Sequence, residues 1–145
     1  LPLLLASDEI ILVTTPEPTS LTDAYAVLKL LSKHRSSLTV KLVVNRCSHP
    51  LEGLQTAQRL QSAAKQFLDQ EIHYLGHLVQ DHCVQQAVIR QQPFLYLDPS
   101  SKASQAVRLM AAQYLNRPLV RPAQQDGGLG GLFRRLVGSI KRSIS

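Results

Sequence analysis

Three short, almost uninterrupted apolar runs alternate with longer stretches of helical period. They lie at 10–13 (Ile-Ile-Leu-Val), 40–45 (Val-Lys-Leu-Val-Val-Asn) and 72–79 (Ile-His-Tyr-Leu-Gly-His-Leu-Val). Runs this short, bounded by turn residues, read as strands covered on both faces. Strands alternating with helices call for right-handed crossovers and hence a parallel sheet. The expected fold is therefore α/β, a partial parallel β-sheet with flanking helices.

The segments between the strands define the helices. Thr14-Thr15-Pro16-Glu17-Pro18 stops the first run and reads as a rigid turn, because Pro16 and Pro18 suit neither a strand nor a helix interior. Ser20 is the expected N-cap of the next helix, with Asp23 in its first turn. Leu21, Tyr25, Leu28 and Leu31 then recur at helical spacing and mark its buried face. Residues 46–50 form a loop. A second helix over 51–69 places Leu54, Ala57, Leu60, Ala64, Phe67 and Leu68 on one side. A short helix over about 82–90 is stopped by Pro93, 94–97 is extended, and a last helix covers about 101–116.

Charge divides the chain into a body and a tail. Residues 1–120 hold 11 Lys and Arg against 9 Asp and Glu, while 121–145 hold 5 against 1. The expected organisation is a body at 1–120, a flexible Gly- and Pro-containing linker at 121–130 and an amphipathic helix at 131–143. Leu129, Leu132, Phe133, Leu136, Val137 and Ile140 fall on one stripe, with Arg134, Arg135, Lys141 and Arg142 between them. A surface helix of the fold or a nucleic-acid arm could carry part of this pattern. An in-plane anchor on an anionic membrane explains both the apolar stripe and the basic residues. No apolar run is long enough to span a bilayer. The opening Leu1-Pro2-Leu3-Leu4-Leu5 lacks the basic flank of a signal peptide and reads as the cut end of a longer protein. With only Cys47 and Cys83, no disulfide framework is expected, and a reducing cytoplasm is the simpler setting.

Ligands of parallel sheets bind at the carboxyl ends of the strands, which singles out 14–18, 45–50 and 79–82. Asn45 offers a donor and an acceptor to the edge of a flat base, and Arg46 can stack on it; the alternative is a loop capping its own backbone. Gln80 and Asp81 stand at the next strand end, where Asp81 could equally N-cap the following helix. Cys47, His49, His77, His82 and Cys83 match no usual zinc spacing and give no sign of a thiolate nucleophile. The phosphate-cradling pattern G-x-x-x-x-G-K-[ST] is absent, and the Gly-rich stretch at 127–131 follows no strand.

The strings Thr14-Thr15-Pro16-Glu17-Pro18-Thr19, Leu42-Val43-Val44-Asn45-Arg46, Leu75-Gly76-His77-Leu78-Val79-Gln80-Asp81 and Ala87-Val88-Ile89-Arg90-Gln91-Gln92-Pro93-Phe94 carry a resemblance over about residues 6–117. Together they resemble the MinD/ParA ATPases, and most the flagellar-number regulator branch (FlhG/FleN/YlxH). Gly131-Leu132-Phe133-Arg134-Arg135-Leu136 resembles the membrane-targeting helix of the MinD type.

The resemblance implies the C-terminal half of a P-loop NTPase-like domain, binding ATP with Mg²⁺ held through the N-terminal half. Asn45, Arg46, Val79, Gln80 and Asp81 would surround the adenine. Glu17 and Asp23 would face a homodimer partner when the domain is intact. Association with the inner face of the cell membrane, control of flagellar number and placement, and contact with an FlhF-like GTPase are implied with it. No nucleic acid is expected. The family's P-loop lysines and switch aspartate have no counterpart here, so this chain alone is expected neither to hydrolyse ATP nor to bind it tightly. The sheet should then have an unpaired apolar flank. The other readings are a non-enzymatic membrane- or partner-binding remnant, and a cell-division or chromosome-positioning MinD/ParA homologue.

Overall fold

The computed structural model describes residues 7–34 and 38–116. Over these the order is β1 (Glu9–Thr14), α1 (Pro18–His34), β2 (Thr39–Cys47), α2 (Pro50–Leu68), β3 (Ile72–Val79), α3 (His82–Ile89), α4 (Phe94–Leu97) and α5 (Lys102–Tyr114). The three strands form one parallel sheet in the order β1-β2-β3. The α/β class and parallel sheet expected from the apolar runs are what the chain adopts. The expected linker at 121–130 and the tail residues Leu129, Leu132, Phe133, Arg134, Arg135, Leu136, Val137, Ile140, Lys141 and Arg142 lie outside the described residues.

Alternation along β2 sorts the sheet's two faces. Val40, Leu42 and Val44 are buried against Ala24, Leu28 and Leu31 of α1 and Ala57, Leu60 and Ala64 of α2. On the opposite face, α5 lies over β3. Met110 packs so close to Gly76 that an added Cβ would meet its Cγ at 2.6 Å. Lys41, also on this face, sits 4.3 Å from the centre of the Tyr114 ring and 2.8 Å from Glu9 Oε1. The cover stops there: Ile11 and Val13 of β1, register partners of Lys41 and Val43, are 48% and 57% exposed. Among the described residues, helices thus cover both faces of β2 and β3, while one face of β1 stays about half exposed.

Several local expectations are corrected. Helix α1 starts at Pro18, at the first helical position, where proline's missing N–H costs nothing. The Glu17 carbonyl accepts the Leu21 N–H. Ser20 is therefore inside the helix and not its N-cap, and Asp23 falls beyond the first turn. The Ser20 hydroxyl instead accepts the Thr15 N–H at 3.0 Å and pairs with the Thr14 hydroxyl at 3.0 Å, tying the helix to the end of β1. On α2 the buried face is Gly53, Thr56, Ala57, Leu60 and Ala64, whereas Leu54 and Phe67 are exposed. Residues 94–97 form a helical turn, not an extended segment. The Ser104 hydroxyl, fully buried, donates to the Asp98 carbonyl at 2.7 Å and holds that turn against α5.

Candidate functional site

β2 runs to Cys47, two residues beyond the expected strand end at Asn45, so Arg46 and Cys47 are strand residues and the loop begins at Ser48. Two features fix this end. Arg46 has φ of 58°, a left-handed conformation that a side-chain-bearing residue adopts only under constraint. The constraint is visible on both sides: the Asn45 side-chain carbonyl accepts the Arg46 N–H at 2.8 Å, and the Cys47 carbonyl accepts the Gln80 N–H at 2.8 Å. The second bond laces the end of β2 to the end of β3, where Cys47 and Val79 are in register.

Helix α2 leaves this corner through a reciprocal cap. His49 Nδ1 accepts the Glu52 N–H at 3.1 Å, and the Glu52 carboxylate accepts both the N–H and the hydroxyl of Ser48 at 2.6 Å. Those two donors hold the Glu52 carboxyl below its ordinary pKa. The Cys47 thiol is fully buried, and burial, with the nearby Glu52 charge, pushes its pKa up. It is a packing group and not a nucleophile.

At the neighbouring strand end Asp81 occupies a junction. Its Oδ1 accepts the Cys83 N–H at 2.9 Å, N-capping α3, and its Oδ2 accepts the Ala103 N–H at 3.0 Å, anchoring the start of α5. Those N–H groups, Ala103 first and Cys83 second, hold its carboxyl below the usual carboxylate range. The capping alternative for Asp81 is realised, and its carboxylate shapes the site's wall through backbone contacts.

Asn45, Arg46, Val79, Gln80 and Asp81 all line one cavity of about 460 Å³ at the carboxyl ends of β2 and β3. Leu78, His82, Val84, Gln85 and Ala103 complete the lining. The lining is mixed: Leu78, Val79, Val84 and Ala103 are apolar, and Asn45, Gln80 and Gln85 bring amide groups, a combination that suits a flat heterocycle with polar edges. His82 and Gln85 stand one helical turn apart, a spacing that puts both on the cavity side of α3; their Nδ1 and Oε1 are 3.3 Å apart. Attention to that spacing could have found them from sequence. Ala103 has no local signal, because it arrives from α5.

Glu17 and Asp23 are outside this cavity. Glu17 is half-exposed at the end of β1; its Oε2 accepts the Thr15 hydroxyl at 3.3 Å, and its Oε1 lies 3.8 Å from Arg46 Nη1. Asp23 is exposed on α1. The cysteines and histidines considered as metal ligands are not gathered: among the described residues no group of three or more His, Cys, Asp or Glu could hold an ion. His77 instead pairs through Nδ1 with the Tyr74 hydroxyl. No helix among the described residues is long and apolar enough to cross a membrane.

No family model matches the chain. It is 36% identical over 132 residues to the antiactivator FleN of Pseudomonas aeruginosa, covering 91% of this chain and 46% of that protein. It is 32% identical over 137 residues to the flagellum site-determining protein YlxH of Helicobacter pylori, covering 91% and 45%. The MinD cell division protein of Aquifex aeolicus superposes on 81% of this chain and 49% of its own, with a TM-score of 0.57 and 25% identity. The chain thus spans about half the length of the curated relatives it matches.

Proposed function

We propose, from the premise that this chain is homologous to the flagellar regulators FleN and YlxH of the MinD/ParA family, that it is the base-binding half of an ATP-dependent switch controlling flagellar number and placement. The carrying observation is the cavity of about 460 Å³ that gathers Asn45, Arg46, Val79 and Gln80 at two strand ends, with Asp81 fixing its wall. Asn45 and Gln80 would read the edge of adenine, Arg46 would lie against its face, and Val79 would supply apolar contact. When bound, ATP supplies the phosphoanhydride whose cleavage resets such a switch. The lysine and magnesium that act on the phosphates belong to the remainder of the domain.

The Arg46–Glu17 approach at 3.8 Å supports a further element of the proposal. Glu17, with Asp23 beyond it, would present a homodimer face whose geometry senses the occupied base site. The basic amphipathic segment would hold the dimer on the inner face of the cell membrane, and an FlhF-like GTPase would be its partner there. A non-enzymatic membrane- or partner-binding remnant is the second reading.

The test is titration of a fluorescent adenine nucleotide into the chain co-expressed with the part of P. aeruginosa FleN that it does not match. Asn45→Ala should weaken binding about tenfold, the cost of one well-placed hydrogen bond. Equal affinity with and without the Asn45 amide and the Arg46 guanidinium overturns the base assignment. The chain alone should show no ATP turnover; a rate comparable to that of an intact relative would refute the half-domain reading.

A further inference from the structure

We infer that the outer edge of β3 and the facing side of α5 form a groove that takes an extended, acidic peptide segment of a partner protein by strand addition. The inference stands apart from the base cavity and needs no nucleotide.

Among the described residues β3 bonds to no strand but β2, so the N–H and C=O groups on its far side have no strand partner. A second cavity, of about 480 Å³, touches five consecutive residues of this strand, His73 to His77. Successive strand side chains point to opposite faces, so a cavity that meets five in a row follows the strand's edge and not one face. Its other wall is α5, through Ala106, Leu109, Met110 and Gln113. Those four recur at three, four and seven residues and so share one side of the helix. An open strand edge beside a helix is the geometry of strand addition: the edge offers main-chain hydrogen bonds, and the helix offers a wall to alternate side chains of the added segment.

Local features shape the groove. Leu75 is an extra residue on β3, since Tyr74 is in register with Leu42 and Gly76 with Val43. Such a bulge bends an edge strand and discourages long, indiscriminate pairing. Gly76 presents no side chain there, and Met110 fills the space that a Cβ would need. After Ile72 no residue of β3 is fully buried, and Leu109 is 45% exposed, so apolar surface remains for a partner to cover.

The occupant follows from charge. The ionisable lining is Lys41, His73, Tyr74 and His77, with no carboxylate. Glu9 reaches Lys41 from β1, and Glu71, just ahead of the strand, acts on Lys65 of α2. A segment with apolar side chains toward α5 and carboxylates toward the histidines complements this lining. The chain's own residues after 116 do not. They include Pro118 and Pro122, which donate no hydrogen bond, and Arg117, Arg121, Arg134, Arg135, Lys141 and Arg142 against Asp126 alone. A second copy is also a poor match, because a two-fold axis along the β3 edge would set this lining against itself.

The test is an NMR titration of the full 145-residue chain with a short synthetic peptide that alternates valine and glutamate. Saturable shifts are expected at the amides of 73–77 and 106–113, with hydrogen exchange slowed at 73–77. Methylating the peptide's backbone nitrogens, or replacing its glutamates by lysines, should each weaken binding about tenfold or more. Leu109→Glu, at an exposed position, should weaken it similarly with circular dichroism unchanged; if that variant does not fold, His73→Glu on the exposed strand start serves in its place. Phe67→Lys, exposed on α2, should bind as the parent does. The inference is overturned by the lack of any saturable shift up to about 1 mM peptide, by shifts confined to other elements, or by equal binding of the methylated or lysine peptide. Amides 73–77 already protected in the chain alone would also overturn it: a dimer in sedimentation would then mark a second copy as the occupant, and a monomer the chain's own remaining residues.

Discussion

The Asp81 carboxylate joins two helices: one oxygen accepts the Cys83 N–H at the start of α3, and the other accepts the Ala103 N–H at the start of α5, 22 positions along the chain. Helix starts carry unpaired N–H groups, so a single side chain here satisfies donors of two elements at once. It also fixes how α5 meets the cavity rim, since Ala103 is part of the lining.

Removing that carboxylate should be costly in a pH-dependent way. Asp81→Ala is expected to lower unfolding stability by about 1–3 kcal/mol at neutral pH, the range for losing an N-cap and a second backbone bond. The Asp81 pKa is depressed in the folded chain, so its contribution is present above the unfolded pKa and fades as pH falls through the folded value. Urea unfolding of parent and variant should therefore differ most at pH 7, and the gap should narrow in strong acid, below the ordinary carboxylate range. A difference that is the same at both pH values would show that the charge is immaterial.

Gly53 offers a sign test. Alanine is the better helix former by about 1 kcal/mol, and on propensity alone Gly53→Ala would stabilise α2. A Cβ at this position would meet His77 Cβ at 2.7 Å and Cys47 Sγ at 3.1 Å. The first is a side-chain root that cannot swing away, so the expected outcome is net destabilisation of about 1–3 kcal/mol. Thermal unfolding decides it; a raised Tm would mean that α2 lifts off β3 without penalty.

Arg46 separates backbone from side chain. Its left-handed conformation costs a non-glycine residue about 1–2 kcal/mol, which glycine avoids. Its ion pair with Glu17 is exposed and contributes little. Arg46→Gly should leave stability within about 1 kcal/mol of the parent. In the completed domain it should lower affinity for adenine nucleotide about tenfold, a loss of about 1.4 kcal/mol. Arg46→Ala should lose the same affinity and be less stable than the glycine variant. Chemical unfolding and nucleotide titration on the three proteins together make the distinction.

The tail can be tested on its own terms. Flotation with vesicles containing anionic lipid should recover the full chain, and Phe133→Asp should sharply reduce recovery, because a carboxylate would sit in the apolar stripe. Raising salt should weaken attachment by screening the four basic residues between the stripe positions. Recovery unchanged by Phe133→Asp would rule the anchor out.

The amino-acid order alone located the three strands, the parallel sheet and the helix expected over 51–69 and found over 50–68, because apolar runs and helical spacing report local burial. It also placed Asn45, Arg46 and Gln80 at strand ends, which is where the cavity lies. Tertiary structure decided the rest. Phe67 and Leu54 keep the helical spacing yet face solvent, since the narrower Gly53, Ala57 and Ala64 are what let α2 approach the sheet. Ser20 reads as a cap but ties a helix to a strand, because Pro18 can begin the helix two residues sooner. Ile11 and Val13 belong to an apolar run, yet among the described residues they stay about half exposed. Spacing records that a side chain prefers burial; which surface supplies it, and whether that surface is present, depends on contacts between segments far apart in the chain.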